Sequence, residues 1–143
     1  MGTITINDIQ ITPLKRIPTS GGDVLHAIKL ADQGYVNFGE AYFSIAEYGA
    51  VKAWKKHLKM TLNLIVPVGM VRFVFFSPCR PDTFRVEEIG EERYVRLTVP
   101  PGIWFGFKGL YKPYSLVYNF ADIVHDPGEV ERNLIHEIKY NWL

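Results

Sequence analysis

A single cysteine, Cys79, is all the thiol in these 143 residues, so no internal disulfide can staple the fold and no cysteine pair can open a structural zinc site. Long apolar runs are missing too: LNLIVPVGMV and VRFVFF are interrupted by Pro67, Gly69 and Arg72 and fall well short of the roughly 20 residues that span a membrane. No excess of either charge is present. Sixteen Lys and Arg against fifteen Asp and Glu leave a formal net charge of +1, without the basic surplus that captures nucleic acid. The four histidines lack the paired close spacing of a metal site, and no metal or cofactor is expected. The N-terminal stretch MGTITINDIQITPLKRIP alternates apolar and polar residues rather than forming the uninterrupted apolar core of a signal peptide, so a cytoplasmic protein is expected.

What is present is β chemistry. The composition is 48% hydrophobic and 14% aromatic, enough for one sizeable core, and a single domain over residues 1–143 is expected. Period-2 alternation predicts strands over 3–11, 24–30, 39–45, 52–59, 62–66, 71–76, 84–89, 93–99, 103–108 and 115–120. The segments between them, PTSGGD, PVG, SPCRPD, IGEER, PPG and YKPY, are turn chemistry. Many short strands with regular turns predict an all-β fold, and the two turn-broken strand pairs around PVG and PPG point to the double-sheet jelly roll of the cupin class. A short C-terminal helical segment is expected in DPGEVERNLIHEI, with Asp126 as cap, Pro127 in the first helical position, and Glu129 and Glu131 near its positive end.

Strand alternation places Lys55 and His57 on one face and Lys56 on the other. Histidine titrates near neutral pH and can serve as a base, whereas Lys55 needs burial or neighbouring cations such as Lys52 or Lys56 to lower its pKa. Tyr118, in the alternating strand SLVYNF, is a candidate acid. Together these residues suit cofactor-free proton abstraction beside a ketone. Each also has a plain structural reading: edge lysines discourage aggregation, and Tyr118 can be a core or rim aromatic. Trp54 and Trp104 are core candidates that could equally form a wall for a stacked base or sugar.

The order of motifs resembles that of the dTDP-4-dehydrorhamnose 3,5-epimerase family, cupin enzymes acting on dTDP-4-keto-6-deoxyglucose. Against the family pattern F-x-Q-x-N-x-S-x-S-x-x-G-V-L-R-G-L-H-x-Q, the segment FGEAYFSIAEYGAVKAWKKH keeps Phe38, Ser44, Gly49 and Val51. The family's phosphate-contacting arginine falls on Lys52, which keeps the charge and loses the bidentate fork. Its catalytic histidine falls on Lys55 and the following glutamine on His57. Its G-F-A-H-G-F resembles GIWFGF, with Phe105 in place of histidine, and its L-Y-K-x-T resembles VYNFA, carrying the catalytic tyrosine onto Tyr118. The substrate-contacting lysine falls on Leu62 or Asn63, so Asn63 is the remaining polar candidate. The closing segment matches LIHEIKYNW with Trp142 in place, while the aspartate that orients the catalytic histidine is missing; His136 or Glu137 stands near its place, with His136 as a possible substrate contact. The related sugar-nucleotide 3,4-ketoisomerases carry R-G-x-H-A-H here, and their second histidine coincides with His57.

The resemblance implies a cofactor-independent sugar-nucleotide epimerase or isomerase in deoxysugar biosynthesis for lipopolysaccharide or capsule. In it His57 is the base, Lys55 assists it, and Tyr118 is the acid. Lys52, Trp54, Asn63, Trp104 and His136 are substrate contacts. The alternative is an inactive nucleotide-sugar-binding protein or a partner of a glycosyltransferase. A homodimer formed through residues 3–11 is expected.

Overall fold

The structure, a computed structural model, describes residues 3–77 and 83–143; Cys79 lies outside them. Twelve strands run in chain order: β1 (Gln10–Pro13), β2 (Arg16–Ile17), β3 (Val24–Leu25), β4 (Glu40–Glu47), β5 (Val51–His57), β6 (Leu62–Val68), β7 (Met70–Phe76), β8 (Phe84–Gly90), β9 (Val95–Val99), β10 (Trp104–Gly109), β11 (Tyr114–Ala121) and β12 (Val130–Arg132). One sheet is ordered β1-β9-β6-β11-β4, the other β12-β5-β10-β7-β8, and β2-β3 form a separate ribbon. Their pairings are antiparallel, as expected of a cupin-type double-sheet jelly roll.

Alternation along the strands builds the core. Leu62, Leu64, Val66 and Leu97 of the first sheet meet Val71, Phe73, Phe75 and Phe105 of the second, each contributing about 1.5–3 kcal/mol on burial. The opposite face of the second sheet is also covered. There Val74, Phe76 and Trp104 pack with Trp54 under Ile138 and Trp142 of the C-terminal segment, which explains why β7 reads as an almost continuous apolar run.

β6 and β7 belong to different sheets and are joined by Gly69 alone. Gly69 holds φ at +85°, and a Cβ there would lie 2.2 Å from Ser115 Oγ, so the crossing requires glycine on both conformational and steric grounds.

Three expectations are corrected. The strand predicted over 3–11 begins instead with a 3-10 turn at Ile6–Asp8, closed by a capping box from Thr5, and only Gln10–Pro13 pairs. The strand over 24–30 shrinks to Val24–Leu25. No C-terminal helix forms: Asp126 caps and Pro127 starts a 3-10 turn, but that turn spans only Pro127–Glu129 and the chain then pairs as β12 with β5. The cap signal was real, yet no 3.6-residue apolar stripe follows to extend the helix.

Candidate active site

A cavity of about 770 Å³ opens between the sheets. β4 supplies Tyr42 and Ser44, β6 Leu62 and Leu64, and β11 Val117 and Asn119; β5 and β10 face them with Lys52, Lys55, His57, Phe105 and Phe107, while residues 132–135 and Glu137 border one side. A volume in this range suits a small-molecule ligand.

His57 is the buried titratable centre. Its Nδ1 lies 2.6 Å from Glu129 Oε1, and its ring stacks on Phe105 at 18° between planes. Glu129 is almost wholly buried behind it. Its second oxygen accepts the backbone N–H groups of Leu58, Lys59 and Met60 at 3.2, 3.0 and 3.2 Å. Burial works against the Glu129 carboxylate, but the hydrogen bonds from His57, Lys59 and Met60 outweigh it and hold its pKa below the usual carboxylate range. Burial lowers the His57 pKa, with Lys55 and Arg132 acting in the same direction against the pull of Glu129. The pair is therefore a neutral imidazole beside an ionised carboxylate. Nδ1–H donates to Glu129, which leaves the Nε2 lone pair as the basic position.

The electrostatics of the cavity are cationic. Lys52 anchors its Nζ on the Ile45 carbonyl at 2.8 Å, Arg132 pairs with Lys55 across β12 and β5, and Glu137 is the acidic residue among the lining side chains. Burial, then Arg132 and Lys52, lower the Lys55 pKa, with Glu129 opposing. Among the described residues no group of three or more His, Cys, Asp or Glu is placed to hold a metal.

The sequence candidates divide. His57, Lys55 and Lys52 line the cavity together, and Lys56 turns outward to pair with Glu131 at 2.9 Å. Trp54 borders the cavity, but it is a wall rather than a stacking platform. It is buried, Nε1 donates to the Ile135 carbonyl, and its ring packs against Phe76, Tyr140 and Trp142.

Four candidates are not brought to the cavity. Tyr118 points to the opposite face of β11 and packs on Phe43, with ring centroids 5.0 Å apart; strand period 2 gives the inward places to Val117 and Asn119. Asn63 faces away as well, donating to the Gly34 carbonyl and accepting from Arg96 and Thr98. Trp104 packs on the outer face of its sheet with Lys56 Nζ 5.1 Å from its ring. His136 is exposed on a turn outside the cavity lining.

Sequence reasoning missed three cavity residues or their supports. Glu129 was placed at a helix start, and the carboxylate it supplies was sought at His136 or Glu137. Arg132 was hidden by the same helix assignment. Tyr42, whose hydroxyl accepts from Asn119 Nδ2 at 3.1 Å, was legible only as one of the alternating inward positions 42, 44 and 46.

A solved dTDP sugar isomerase from Desulfovibrio desulfuricans G20 is 34% identical, with 99% of this chain and 95% of that one covered at a TM-score of 0.88. This chain belongs to the dTDP-sugar isomerase family of epimerase-like cupins. No family model matches the chain. A curated relative, the probable low-salt glycan biosynthesis epimerase Agl13 of Haloferax volcanii, is 25% identical over 130 residues, covering 85% of this chain and 81% of that protein. QdtA, a sugar 3,4-ketoisomerase from Thermoanaerobacterium thermosaccharolyticum, shares the fold at a TM-score of 0.76 and 18% identity, with 93% of each chain covered. So does a dTDP-4-dehydrorhamnose 3,5-epimerase from Sulfolobus tokodaii, at 0.77 and 22%, covering 92% of this chain and 80% of that one.

Proposed function

We propose that the protein is a cofactor-independent epimerase or isomerase of a dTDP-4-keto-6-deoxyhexose, cytoplasmic, feeding deoxysugar into a surface glycan such as lipopolysaccharide or capsule. The observation that carries this reading is the His57–Glu129 pair, in which a neutral base with its tautomer fixed by the buried carboxylate lines a cavity with a cationic border. Family membership and the glycan epimerase relative support it.

In this reading His57 Nε2 removes the proton at C3 or C5, next to the C4 ketone, and Glu129 stabilises the imidazolium that forms. Lys55 stands beside the base on the same strand face, where the ketone must lie for its neighbouring carbons to reach His57. Lys52 and Arg132 neutralise the diphosphate. Inversion requires proton return from the other side of the sugar, and Tyr42 is the titratable side chain that the facing sheet contributes to the lining; we assign it the role first given to Tyr118. Three departures motivate the binding-only alternative, histidine to Lys55, histidine to Phe105 and the missing aspartate, and Glu129 offers a carboxylate for the third.

We further propose a homodimer. The outer face of β4 and β11 exposes Phe43 and Ile45 at 61% and 51% beside Tyr118, a surface better suited to pairing than the N-terminal segment, which turns at Ile6–Asp8.

The test is proton NMR with dTDP-4-keto-6-deoxyglucose in deuterium oxide. Exchange at C3 or C5 that disappears in His57→Asn is the expected result. Tight binding of the nucleotide sugar with no exchange at either carbon would overturn the enzymatic reading.

A further inference from the structure

Lys55 differs from its lysine neighbours. Lys52 is fixed to the Ile45 carbonyl, Lys56 to Glu131 and Lys108 to the Trp142 carbonyl. Lys55 is half-buried in the cavity wall, and its Nζ makes no hydrogen bond or ion pair with a described residue. In register it sits between Phe105 of β10 and Arg132 of β12, an apolar ring on one side and a cation on the other. His57 lies two residues along on the same face, about 6.6 Å away along the strand, within the span of one sugar ring held between them.

We propose that Lys55 takes part covalently, its Nζ condensing with the C4 ketone of the keto-sugar nucleotide to form an imine beside the base. This rests on the reading of the cavity as an epimerase site. The amine adds to C4 and forms the N–C bond. The carbinolamine hydroxyl then leaves as water, and C4 becomes an iminium carbon. His57 Nε2 takes the proton from C3 or C5, and the electron pair of that C–H bond flows toward nitrogen to give a neutral enamine. Protonation of the same carbon from the facing wall, where Tyr42 stands, inverts it. Returning water hydrolyses the imine and frees the amine, so water and amine are both recovered and nothing is oxidised.

Burial, with Arg132 and Lys52 nearby, lowers the Lys55 pKa against the opposing Glu129, which raises the fraction of nucleophilic amine at neutral pH. The route has a consequence for reaction type. Nitrogen replaces oxygen at C4 in the intermediate, so a shift of the carbonyl to C3 would leave the sugar on Lys55 through a C4–N single bond that water does not cleave, and turnover by this route is epimerisation rather than 3,4-keto transposition.

Sodium cyanoborohydride reduces an iminium in preference to a ketone. The intact protein is incubated with dTDP-4-keto-6-deoxyglucose and this reductant, then weighed and mapped by mass spectrometry. The expected result is one covalent adduct per chain on Lys55, present in the native protein and in His57→Asn but absent in Lys55→Arg, which also loses at least about 10²-fold in turnover. Deuterium exchange at C3 or C5 without an adduct, or adducts scattered over surface lysines, would overturn the imine and leave the epimerase reading intact. Failure of both exchange and adduct formation would overturn the two together.

Discussion

His57 and Glu129 are 72 positions apart in sequence, yet the imidazole Nδ1 and the carboxylate Oε1 meet at 2.6 Å, both side chains buried. The carboxylate is held from behind by three consecutive backbone N–H groups; Leu58 N–H also donates to the Glu129 carbonyl at 2.7 Å, so a carboxylate that swung away from the ring would leave the Lys59 and Met60 donors unpaired. Replacing Glu129 with glutamine keeps the shape and loses the charge. We expect kcat to fall by about 10²–10⁴-fold with little change in KM, because the tautomer and the imidazolium lose their support. Glu129→Ala should in addition lower stability, by about 1–3 kcal/mol for each donor left buried and unpaired. Steady-state kinetics and denaturant melts check the two effects separately.

The pH dependence follows from the directions of the two shifts. Burial lowers the His57 pKa, so the unfolded chain takes up the imidazole proton first as pH falls. Stability therefore declines between the unfolded and folded histidine values. Glu129 is held below its unfolded value, so its contribution is present above that value and is lost as pH falls through the folded one. Both act on the acid side. The acid limb of kcat/KM should sit below the ordinary imidazole value of about 6.5. A limb above that value would contradict the buried neutral base.

Lys52 and Arg132 should act on binding. Alanine at either position is expected to raise KM and weaken binding of free TDP by about tenfold or more while leaving kcat within a few-fold. The effect should shrink with added salt, since both residues are exposed. Calorimetric titration of TDP at two ionic strengths distinguishes this from a change in the fold.

Tyr42 and Tyr118 give opposite expectations. Tyr42→Phe removes a hydroxyl that lines the cavity and accepts from Asn119. It should preserve solvent exchange at the enolised carbon while cutting inversion by about 10²-fold. Tyr118→Phe alters the outer face and should leave both rates unchanged. Equal loss in the two variants would remove the assignment of the acid to the β4 wall.

Gly69→Ala tests the crossing between the sheets. The φ of +85° and the clash with Ser115 Oγ act together, and Ser115 itself bridges the Met70 N–H and carbonyl at 3.1 and 3.0 Å. A loss of at least about 1–3 kcal/mol is expected, visible as a lower Tm. Gly49→Ala, with φ +78° but nothing within 4 Å of the added methyl, should cost less.

The strands of the jelly roll were legible wherever alternation was sustained, as in FGEAYFSIA and SLVYNF, and their boundaries shifted by only one or two residues. The side of the strand on which Lys55 and His57 lie was legible for the same reason. Tyr118 was misplaced because period 2 says which residues share a face but not which face is inside. Glu129 could not be found, because its partner is chosen by the docking of β12 on β5, a long-range pairing that no local pattern encodes. Asn63 and Trp104 read as site residues because polar and aromatic side chains on strands are ambiguous until both sheet faces are seen to be covered, one by the segment whose Ala27, Gln33 and Gly34 carbonyls accept from Arg96 and Asn63, the other by the C-terminal segment.

Among the described residues only β2-β3 and β7-β8 pair neighbours in sequence; every other strand in the two large sheets reaches past its neighbour to a distant partner. Such topologies fold slowly, in milliseconds to seconds, because chain loops must close before their contacts form. Glu129 arrives with β12, so the base acquires its orienting carboxylate only when the last strand in the chain docks. A refolding experiment that follows tryptophan fluorescence and deuterium exchange in parallel should see catalytic competence appear no earlier than the slowest structural phase. Recovery of exchange before that phase would mean that the site assembles locally. In the cell the same order would keep the growing chain chemically silent until synthesis has passed residue 129.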